Sequence, residues 1–309
     1  MCGERARFEG WYFKHSTQRG VYSFIPGLSV APTGEKYAFL QAISPGGSRF
    51  LRYAPGEYAA DPDSCSVRIG DSFFGPSGAC VSVSRDGARI RGLIRYSAFR
   101  PIRRSFYCPT AMGPFSYLRF LECFHDVVSL SHGLSGLLDW NGETVDFSGG
   151  TGYIERDAGR SFPRAWIWYQ SCGFPRPEDC VMLAAARVPF RAGRSFPGLI
   201  CICSAGGREY RLASYYGGRL VRAERAADGF LICAKQRSLR LEIRVRPRDG
   251  HALLAPLLGN MTRTIREYPC CDSRVRLVRG ARVLLEGEGR CAGFEQAGPL
   301  SDLRRGAGQ

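Results

Sequence analysis

The sequence has almost no lysine, and this shortage decides how its positive charge is interpreted. Lysine occurs only at Lys14, Lys36 and Lys235, so 40 of the 43 basic residues are arginine, and the formal net charge is +15. The arginines are scattered along the chain, and no recognition helix, zinc finger or aromatic RNA-binding signature accompanies them. We therefore expect no nucleic-acid partner. The charge skew is explained by coding bias, or by attraction to an anionic membrane surface.

Long apolar runs and paired cysteine motifs are also missing. No run of about 18 apolar residues is present, so no segment is predicted to span a membrane. The first residues lack an apolar signal core, and we expect no secretory signal peptide. The 13 cysteines include no C-x-x-C pair, which argues against a zinc site and favours small buried thiols in a reducing cytosol. Nucleophile elbows, Walker loops, Rossmann fingerprints and HExxH motifs are absent as well.

Short segments of alternating polarity recur throughout the chain, separated by Gly, Pro, Asp and Ser. Examples are VYSFIPGLSV, ARIRGLIRYS and RLEIRVRP. The one helical candidate covers His251 to Arg266 and is interrupted by Pro256 and Gly259. The pattern predicts an all-β protein, built as a sandwich or a barrel. We place a division near residue 130, which gives domains 1–130 and 131–309.

The segment Thr151 to Gln170, TGYIERDAGRSFPRAWIWYQ, concentrates carboxylates and aromatic rings in twenty residues. It is interpreted as a strand, a tight turn at 157–160 and a second strand. In extended backbone, Tyr153, Glu155 and Asp157 share one face, and Trp166, Trp168 and Gln170 share another. The segment therefore predicts a cavity wall with a few polar groups, in which Asp157 or Glu155 is a proton donor. A turn held by an Asp–Arg pair is the structural alternative.

Two further motifs carry candidate residues. In FEGWYFK, Glu9, Trp11 and Phe13 point to one side of a strand, and Tyr12 and Lys14 point to the other. These residues belong either to an aromatic core or to the lining of a pocket. In ECFHD, His125 lies beside acidic residues and is a general base, a metal ligand or a structural histidine. His132 follows seven residues later, on the opposite face of a strand, so we predict that the two histidines do not bind a metal together.

These motifs resemble the tocopherol cyclase-like family. The matching residues run in the family order, as FEGWYFK at 8–14, the block 113–136, the block 141–170, ARVPF at 186–190, REYRLASYYGG at 208–218 and LLEGEGRCAGFE at 284–295. The resemblance implies two tandem lipocalin-like antiparallel β-barrels with few short helices. It also implies that a ligand binds between or within the barrels, and that the fold is shared with carotenoid hydratases and some Diels–Alderases.

The resemblance further implies an intramolecular cyclase (a lyase or isomerase) that closes a chromanol-type ring on a prenylated quinol, with no metal or redox cofactor. An acid protonates the alkene, aromatic faces shield the tertiary cation, and the phenolic oxygen attacks. We assign Asp157 or Glu155 as the acid, Trp11, Trp166 and Trp168 as shields, and Glu9, His125 or Gln170 as positioning groups. The other candidate substrate-binding residues are Tyr12, Lys14, Tyr153 and Arg160.

Two departures from the family pattern leave other functions open. The chain has Arg156-Asp157-Ala158-Gly159 where the family commonly has Lys-Asp-Trp-Gly, and Glu122-Cys123-Phe124-His125-Asp126 where it commonly has Glu-Cys-Asn-His-Gly. The alternatives are a non-catalytic carrier or sensor of isoprenoid lipid and a hydratase of isoprenoid double bonds. The expected partner is a hydrophobic prenylated lipid. The expected location is the cytoplasm, with peripheral contact to the inner face of an anionic membrane.

Overall fold

The computed structural model describes residues 6–118, 120–190 and 194–303. The chain is all-β, as predicted, and its strands form two antiparallel sheets of lipocalin-like type. Helical structure in the described residues consists of short 3-10 turns at Pro55–Glu57, Gly113–Tyr117, Ser214–Tyr216 and Leu300–Leu303. No helix in these ranges is long and apolar enough to cross a membrane.

The first sheet has twelve strands in the order β4-β3-β2-β1-β12-β10-β9-β8-β7-β6-β5, with β11 paired to β10. Its strands are β1 (Arg7–Thr17), β2 (Gly20–Val30), β3 (Lys36–Ser44), β4 (Gly47–Tyr53), β5 (Tyr58–Asp61), β6 (Ser66–Ile69), β7 (Ser72–Gly75), β8 (Gly78–Arg85), β9 (Ala88–Tyr96), β10 (Cys123–Trp140), β11 (Glu143–Asp146) and β12 (Thr151–Gly159).

The second sheet has ten strands in the order β16-β15-β14-β13-β22-β21-β19-β18-β17, with β20 paired to β21. Its strands are β13 (Trp166–Ser171), β14 (Cys180–Pro189), β15 (Ser195–Ala205), β16 (Arg208–Ala213), β17 (Arg219–Ala226), β18 (Gly229–Gln236), β19 (Leu239–Arg246), β20 (His251–Leu257), β21 (Asn260–Arg279) and β22 (Arg282–Ala297).

Buried and exposed side chains alternate along the strands of these sheets. In β19, Leu239, Leu241, Ile243 and Val245 are buried, and the residues between them are exposed or half-buried. This period of two is what a strand with one face on a core requires. The core of the second sheet is largely aliphatic. The core of the first sheet is rich in aromatic rings, including Trp11, Phe13, Phe24 and Phe74.

The chain divides into two compact units that alternate along the sequence. One unit comprises residues 1–101, 125–162 and 253–264, and the other comprises 102–124, 163–252 and 265–309. Residue 130, where the sequence suggested a division, lies inside β10 and within the first of these units.

The segment 253–264 joins the first unit through specific hydrogen bonds. The Gln41 side chain donates to the carbonyl of Leu254 at 3.0 Å and accepts from its amide at 2.8 Å. The Tyr37 hydroxyl donates to Asn260 at 2.8 Å, and the Ser29 hydroxyl donates to the carbonyl of Gly259 at 2.6 Å. Because these partners are more than 200 residues apart in sequence, local patterns give no indication of them.

Two local expectations were wrong. The helix expected over His251 to Arg266 is absent, because Leu258 and Gly259 turn the chain with φ of +50° and +81° and the flanking residues form β20 and β21. The hairpin expected within Thr151 to Gln170 is also absent. β12 runs through Asp157 to Gly159 and pairs with β1, whereas β13 pairs with β14 and β22 in the other sheet. Residues 160–165 connect the two sheets.

The cysteines fit the expectation of small buried thiols. Of the twelve cysteines that the structure describes, eleven are buried or half-buried. The exception is Cys80, which is exposed on β8.

A tight backbone approach between β1 and β2 generates the first prediction. A Cβ atom at Gly27 would lie 2.4 Å from the carbonyl oxygen of Glu9 and 2.4 Å from the Phe39 ring. We expect Gly27→Ala to lower the free energy of unfolding by about 1–3 kcal/mol, because the strand must move to relieve the clash. Urea unfolding measures the change. Gly56→Ala is the control, since a Cβ there meets nothing within 4 Å; equal stabilities of the two variants would contradict the packing described.

Candidate functional site

The pairing of β1 with β12 determines which candidate side chains stand together. Tyr12 lies opposite Glu155, Lys14 opposite Tyr153, and Gly10 opposite Asp157. Directly opposed residues of antiparallel strands project to the same face of the sheet. Tyr12, Lys14, Tyr153, Glu155 and Asp157 therefore share one face of the first unit, as the alternation in both motifs predicted.

His125 joins this face from β10, the other neighbour of β12. Its Nδ1 lies 3.0 Å from Asp157 Oδ1, and its Nε2 lies 3.9 Å from Glu155 Oε2. The Tyr153 hydroxyl donates a hydrogen bond of 2.5 Å to Glu155 Oε2. We name His125, Tyr153, Glu155 and Asp157 the His125 cluster.

The cluster is shielded from water, and this strengthens its electrostatics. The side chains of His125, Glu155 and Asp157 are 13%, 8% and 18% exposed. Burial alone would lower the pKa of His125, but the nearby charges of Asp157 and Glu155, together with the hydrogen bond to Asp157, raise that pKa to about 9. At neutral pH the imidazole is therefore a cation between two carboxylates.

The same groups form a donor set that suits a divalent cation. One imidazole nitrogen and one oxygen from each of Glu155 and Asp157 lie within 4.8 Å of one another. Mixed nitrogen and carboxylate donors accommodate several first-row metals. The expectation of a metal-free site, made from the sequence, stays a prediction.

Glu9 and Trp11 lie on the opposite face of β1. Arg156 Nε donates to Glu9 Oε1 at 2.9 Å, and Trp11 Nε1 donates to the same oxygen at 3.2 Å. The Arg156 guanidinium carbon is 5.5 Å from the centroid of the Trp11 ring. Trp11 is fully buried in the aromatic core beside Phe13. The structure thus separates Glu9 and Trp11 from the His125 cluster by the thickness of the sheet.

The second unit holds the candidates on β13. Trp166, Trp168 and Gln170 are buried on one face of β13, while Ile167 and Tyr169 enter the aliphatic core on its other face. Trp166 Nε1 donates a hydrogen bond of 2.8 Å to Glu295 Oε2. The face expected from the alternation is therefore present in the second unit.

Sequence reasoning missed two acidic residues on this second face. Glu295 of β22 lies directly opposite Trp168 of β13, and Glu267 of β21 lies directly opposite Glu295. Glu267 is almost fully buried. The sequence did indicate the face of Glu295, because Glu295 follows the core residue Phe294 in the GFE motif and so points to the opposite side of the strand. Its strand partner, Trp168, is 127 positions away and could not be identified from the local pattern.

Arg160 and His132 lie outside the His125 cluster. Arg160 is exposed beyond the end of β12, and its carbonyl accepts a hydrogen bond from the amide of Gly259. His132 Nδ1 lies 3.0 Å from the Ser129 hydroxyl, and its ring packs on Tyr96 and Phe99. Burial lowers the pKa of His132 to about 3, which agrees with a structural histidine.

Comparison with known proteins identifies the family. The sequence model of the tocopherol cyclase-like family matches residues 103–295, well over half of the chain. The chain belongs to the tocopherol cyclase-like family. The match includes the His125 cluster and the whole Thr151 to Gln170 segment, and it confirms the resemblance found in the motifs.

The individual relatives align with only a short part of this chain. A chloroplastic tocopherol cyclase from Zea mays is 38% identical over 63 residues, which are 20% of this chain and 13% of that protein. A probable chloroplastic tocopherol cyclase from Oryza sativa subsp. japonica is 36% identical over 63 residues, again 13% of its length. The chain therefore aligns with about one-eighth of the length of these curated relatives.

Solved structures share the fold of this family member. The crystal structure of CghA with Sch210972 superposes with a TM-score of 0.59 at 13% identity, covering 94% of this chain and 89% of CghA. Kievitone hydratase from Nectria haematococca gives a TM-score of 0.51 at 12% identity, covering 95% and 90% of the two chains. At these identities the likeness establishes the fold.

The raised pKa of His125 predicts a pH-dependent stability. Its pKa is about 9 in the folded protein and 6.5 for the free side chain, so protonation stabilises the folded state. This contribution, about 3 kcal/mol, is complete below pH 6.5 and is lost as the pH rises through about 9.

Urea unfolding of the wild type and of His125→Gln at several pH values between 6 and 9.5 measures this contribution. We expect the difference in stability between the two proteins to shrink as the pH rises. A difference that does not change with pH would contradict the ion-paired imidazolium.

Proposed function

We propose that this protein catalyses proton-driven ring closure on a prenylated quinol-type lipid, with the His125 cluster as the proton-transfer centre. The supporting observation is the arrangement of one imidazole between two shielded carboxylates on the face formed by β1, β12 and β10. Membership of the tocopherol cyclase-like family supports a related catalytic function. The substrate class and the reaction are our proposal.

The geometry favours different roles for the two carboxylates. Glu155 is the more buried, and the Tyr153 hydroxyl holds one of its oxygens at 2.5 Å. Asp157 is the more accessible, and it contacts His125 Nδ1 at 3.0 Å. We assign Asp157 as the acid that touches the substrate, His125 as the group that supplies its proton, and Glu155 as the anion that positions His125.

The proposed reaction conserves protons. The Nδ1 proton of His125 moves to Asp157, and the resulting carboxylic acid protonates the alkene to form a tertiary carbocation. The phenolic oxygen then forms the new C–O bond and releases its proton to the Asp157 carboxylate, from which His125 is protonated again. The negative charges of Asp157 and Glu155 stabilise the cation, since electrostatic interactions are strong in a site shielded from water.

An isoprenoid chain also needs an apolar surface. We propose that the second unit by itself binds an isoprenoid chain through Trp166 and Trp168, with Gln170 as a polar group on the same strand face. A buried pair of indole rings offers a large contact area. Tyr12 and Lys14, which share a face with the cluster, are proposed to contact the quinol head.

The central test is Asp157→Asn, assayed with a prenylated hydroquinone in D2O. Wild type should form a chromanol isomeric with the substrate, with one non-exchangeable deuterium on the former alkene carbon. The variant should lose about 100-fold or more in rate, because general acid catalysis contributes that much. Asp139→Asn is the matched control, since Asp139 is exposed on β10, the strand that carries His125. A chelator should leave the rate unchanged.

Other outcomes of this assay separate the alternative functions. A product heavier than the substrate by one water would identify a hydratase. Tight binding of the hydroquinone with no product would identify a carrier. Full activity of Asp157→Asn would remove Asp157 from the mechanism, and loss of activity on chelation would replace the proton-transfer centre with a metal centre.

The role of the indole face has its own test. We expect Trp168→Ala to weaken binding of an isoprenoid alcohol about tenfold or more, because a large apolar contact is removed. Quenching of the remaining tryptophan fluorescence measures the affinity. Trp140→Phe, a change in the first unit's core, should leave it unaltered. Equal affinities of Trp168→Ala and wild type would place Trp168 outside the binding surface.

A further inference from the structure

A basic pocket in the second unit lies apart from every residue assigned above. Its volume is about 410 Å³, and four arginines line it, namely Arg176, Arg208, Arg279 and Arg282. Tyr210 lies in the same wall. An adjoining hollow of about 330 Å³ shares Arg208, Tyr210 and Arg279 and adds Arg103 and Glu209. Volumes of this size are typical of small-molecule sites.

The strand register brings these arginines together at hairpin ends. Arg279 and Arg282 are the directly opposed pair that closes the hairpin between β21 and β22. Arg208 occupies the closing pair of the hairpin between β15 and β16, opposite Ala205. Like charges in directly opposed positions destabilise a sheet. The Arg279–Arg282 pair is therefore a local electrostatic conflict in the folded protein.

Acidic residues do not resolve this conflict. Arg208, Arg279 and Arg282 form no ion pair with any carboxylate in the described part of the chain. Glu209, the nearest acidic residue in sequence, is engaged by Arg211 at 2.8 Å and by the amide of Arg103 at 2.7 Å.

Some other arginines of the same unit do have carboxylate partners. Arg244 pairs with Glu242, and Arg246 pairs with Asp228. Coding bias would account for arginine in general, but not for three arginines without a described carboxylate partner, Arg208, Arg279 and Arg282, around one pocket.

Part of the pocket is held rigidly. Arg176 Nε donates to Asp179 at 2.8 Å, and its terminal nitrogen donates to the carbonyl of Leu284 at 3.1 Å. The guanidinium carbon of Arg279 lies 5.1 Å from the centroid of the Tyr210 ring. A planar guanidinium group that is held in place binds phosphate well, because two of its N–H groups can donate to two phosphate oxygens at once.

We propose that this pocket binds the phosphate group of an anionic ligand, either a phospholipid headgroup or a soluble phosphate ester or diphosphate. A phosphate group between Arg279 and Arg282 would turn their repulsion into attraction to a shared anion. The surrounding arginines Arg208 and Arg103 would add to the positive potential. This inference is independent of the chemistry proposed for the His125 cluster.

The test compares two double variants that remove the same charge. Arg279→Gln/Arg282→Gln removes the hairpin pair, and Arg244→Gln/Arg246→Gln removes two ion-paired arginines of the same unit. Calorimetry with inorganic pyrophosphate and flotation with phosphatidylglycerol vesicles are carried out at physiological ionic strength, about 0.15 M. Phosphatidylcholine vesicles are the neutral control.

We expect wild type to bind at least one probe and the hairpin variant to bind it about tenfold or more weakly, since the variant loses the charged hydrogen bonds of two guanidinium groups. The control variant should bind as wild type does. Pyrophosphate binding alone would indicate a soluble phosphate ligand, and vesicle binding alone would indicate a lipid headgroup. Equal weakening of both variants, or no binding of either probe by wild type, would overturn the proposal.

Discussion

The register between β1 and β12 is the constraint on which the arrangement of both faces of the first unit depends. It places Tyr12 opposite Glu155 and Trp11 opposite Arg156. A slip of one residue would exchange the faces, because side chains alternate with a period of two. The Glu155 carboxylate would then enter the aromatic core, where a charge without partners is strongly unfavourable. The register is thus specified by charged groups as well as by apolar ones.

The polar groups of the His125 cluster can be buried because each of them compensates the charge or satisfies the hydrogen bonding of another. The two carboxylates compensate the burial of the His125 cation, and the Tyr153 hydroxyl satisfies an oxygen of Glu155. Removal of one partner from such a network leaves a buried charge, which is more unfavourable than the loss of one hydrogen bond. Variants of the cluster therefore need a folding measurement beside the activity measurement.

Local periodicity was sufficient to predict most of the strands and the faces of the motif strands, but it missed β20 and the start of β21 and could not predict strand partners. The face shared by Tyr153, Glu155 and Asp157 follows from alternation alone, and so does the Trp166 and Trp168 face. The hairpin within Thr151 to Gln170 was wrong because a strand, a polar turn and a strand have the same local pattern whether the two strands pair or enter different sheets. Glu295 and Glu267 were missed for the same reason, since Glu295 lies beside β13 through a pairing over 127 residues, and Glu267 lies next to Glu295 on the following strand.

The interleaved order of the two units has a consequence for biosynthesis. Residues 253–264 supply Leu254, Gly259 and Asn260 to the first unit, although most of the second unit precedes them in the chain. As the polypeptide leaves the ribosome from its N-terminus, the first unit lacks these contacts until residue 264 has emerged. Nascent chains shorter than this expose the backbone groups and apolar surface that the segment covers, and a gene fragment that ends at residue 162 would encode the same incomplete unit.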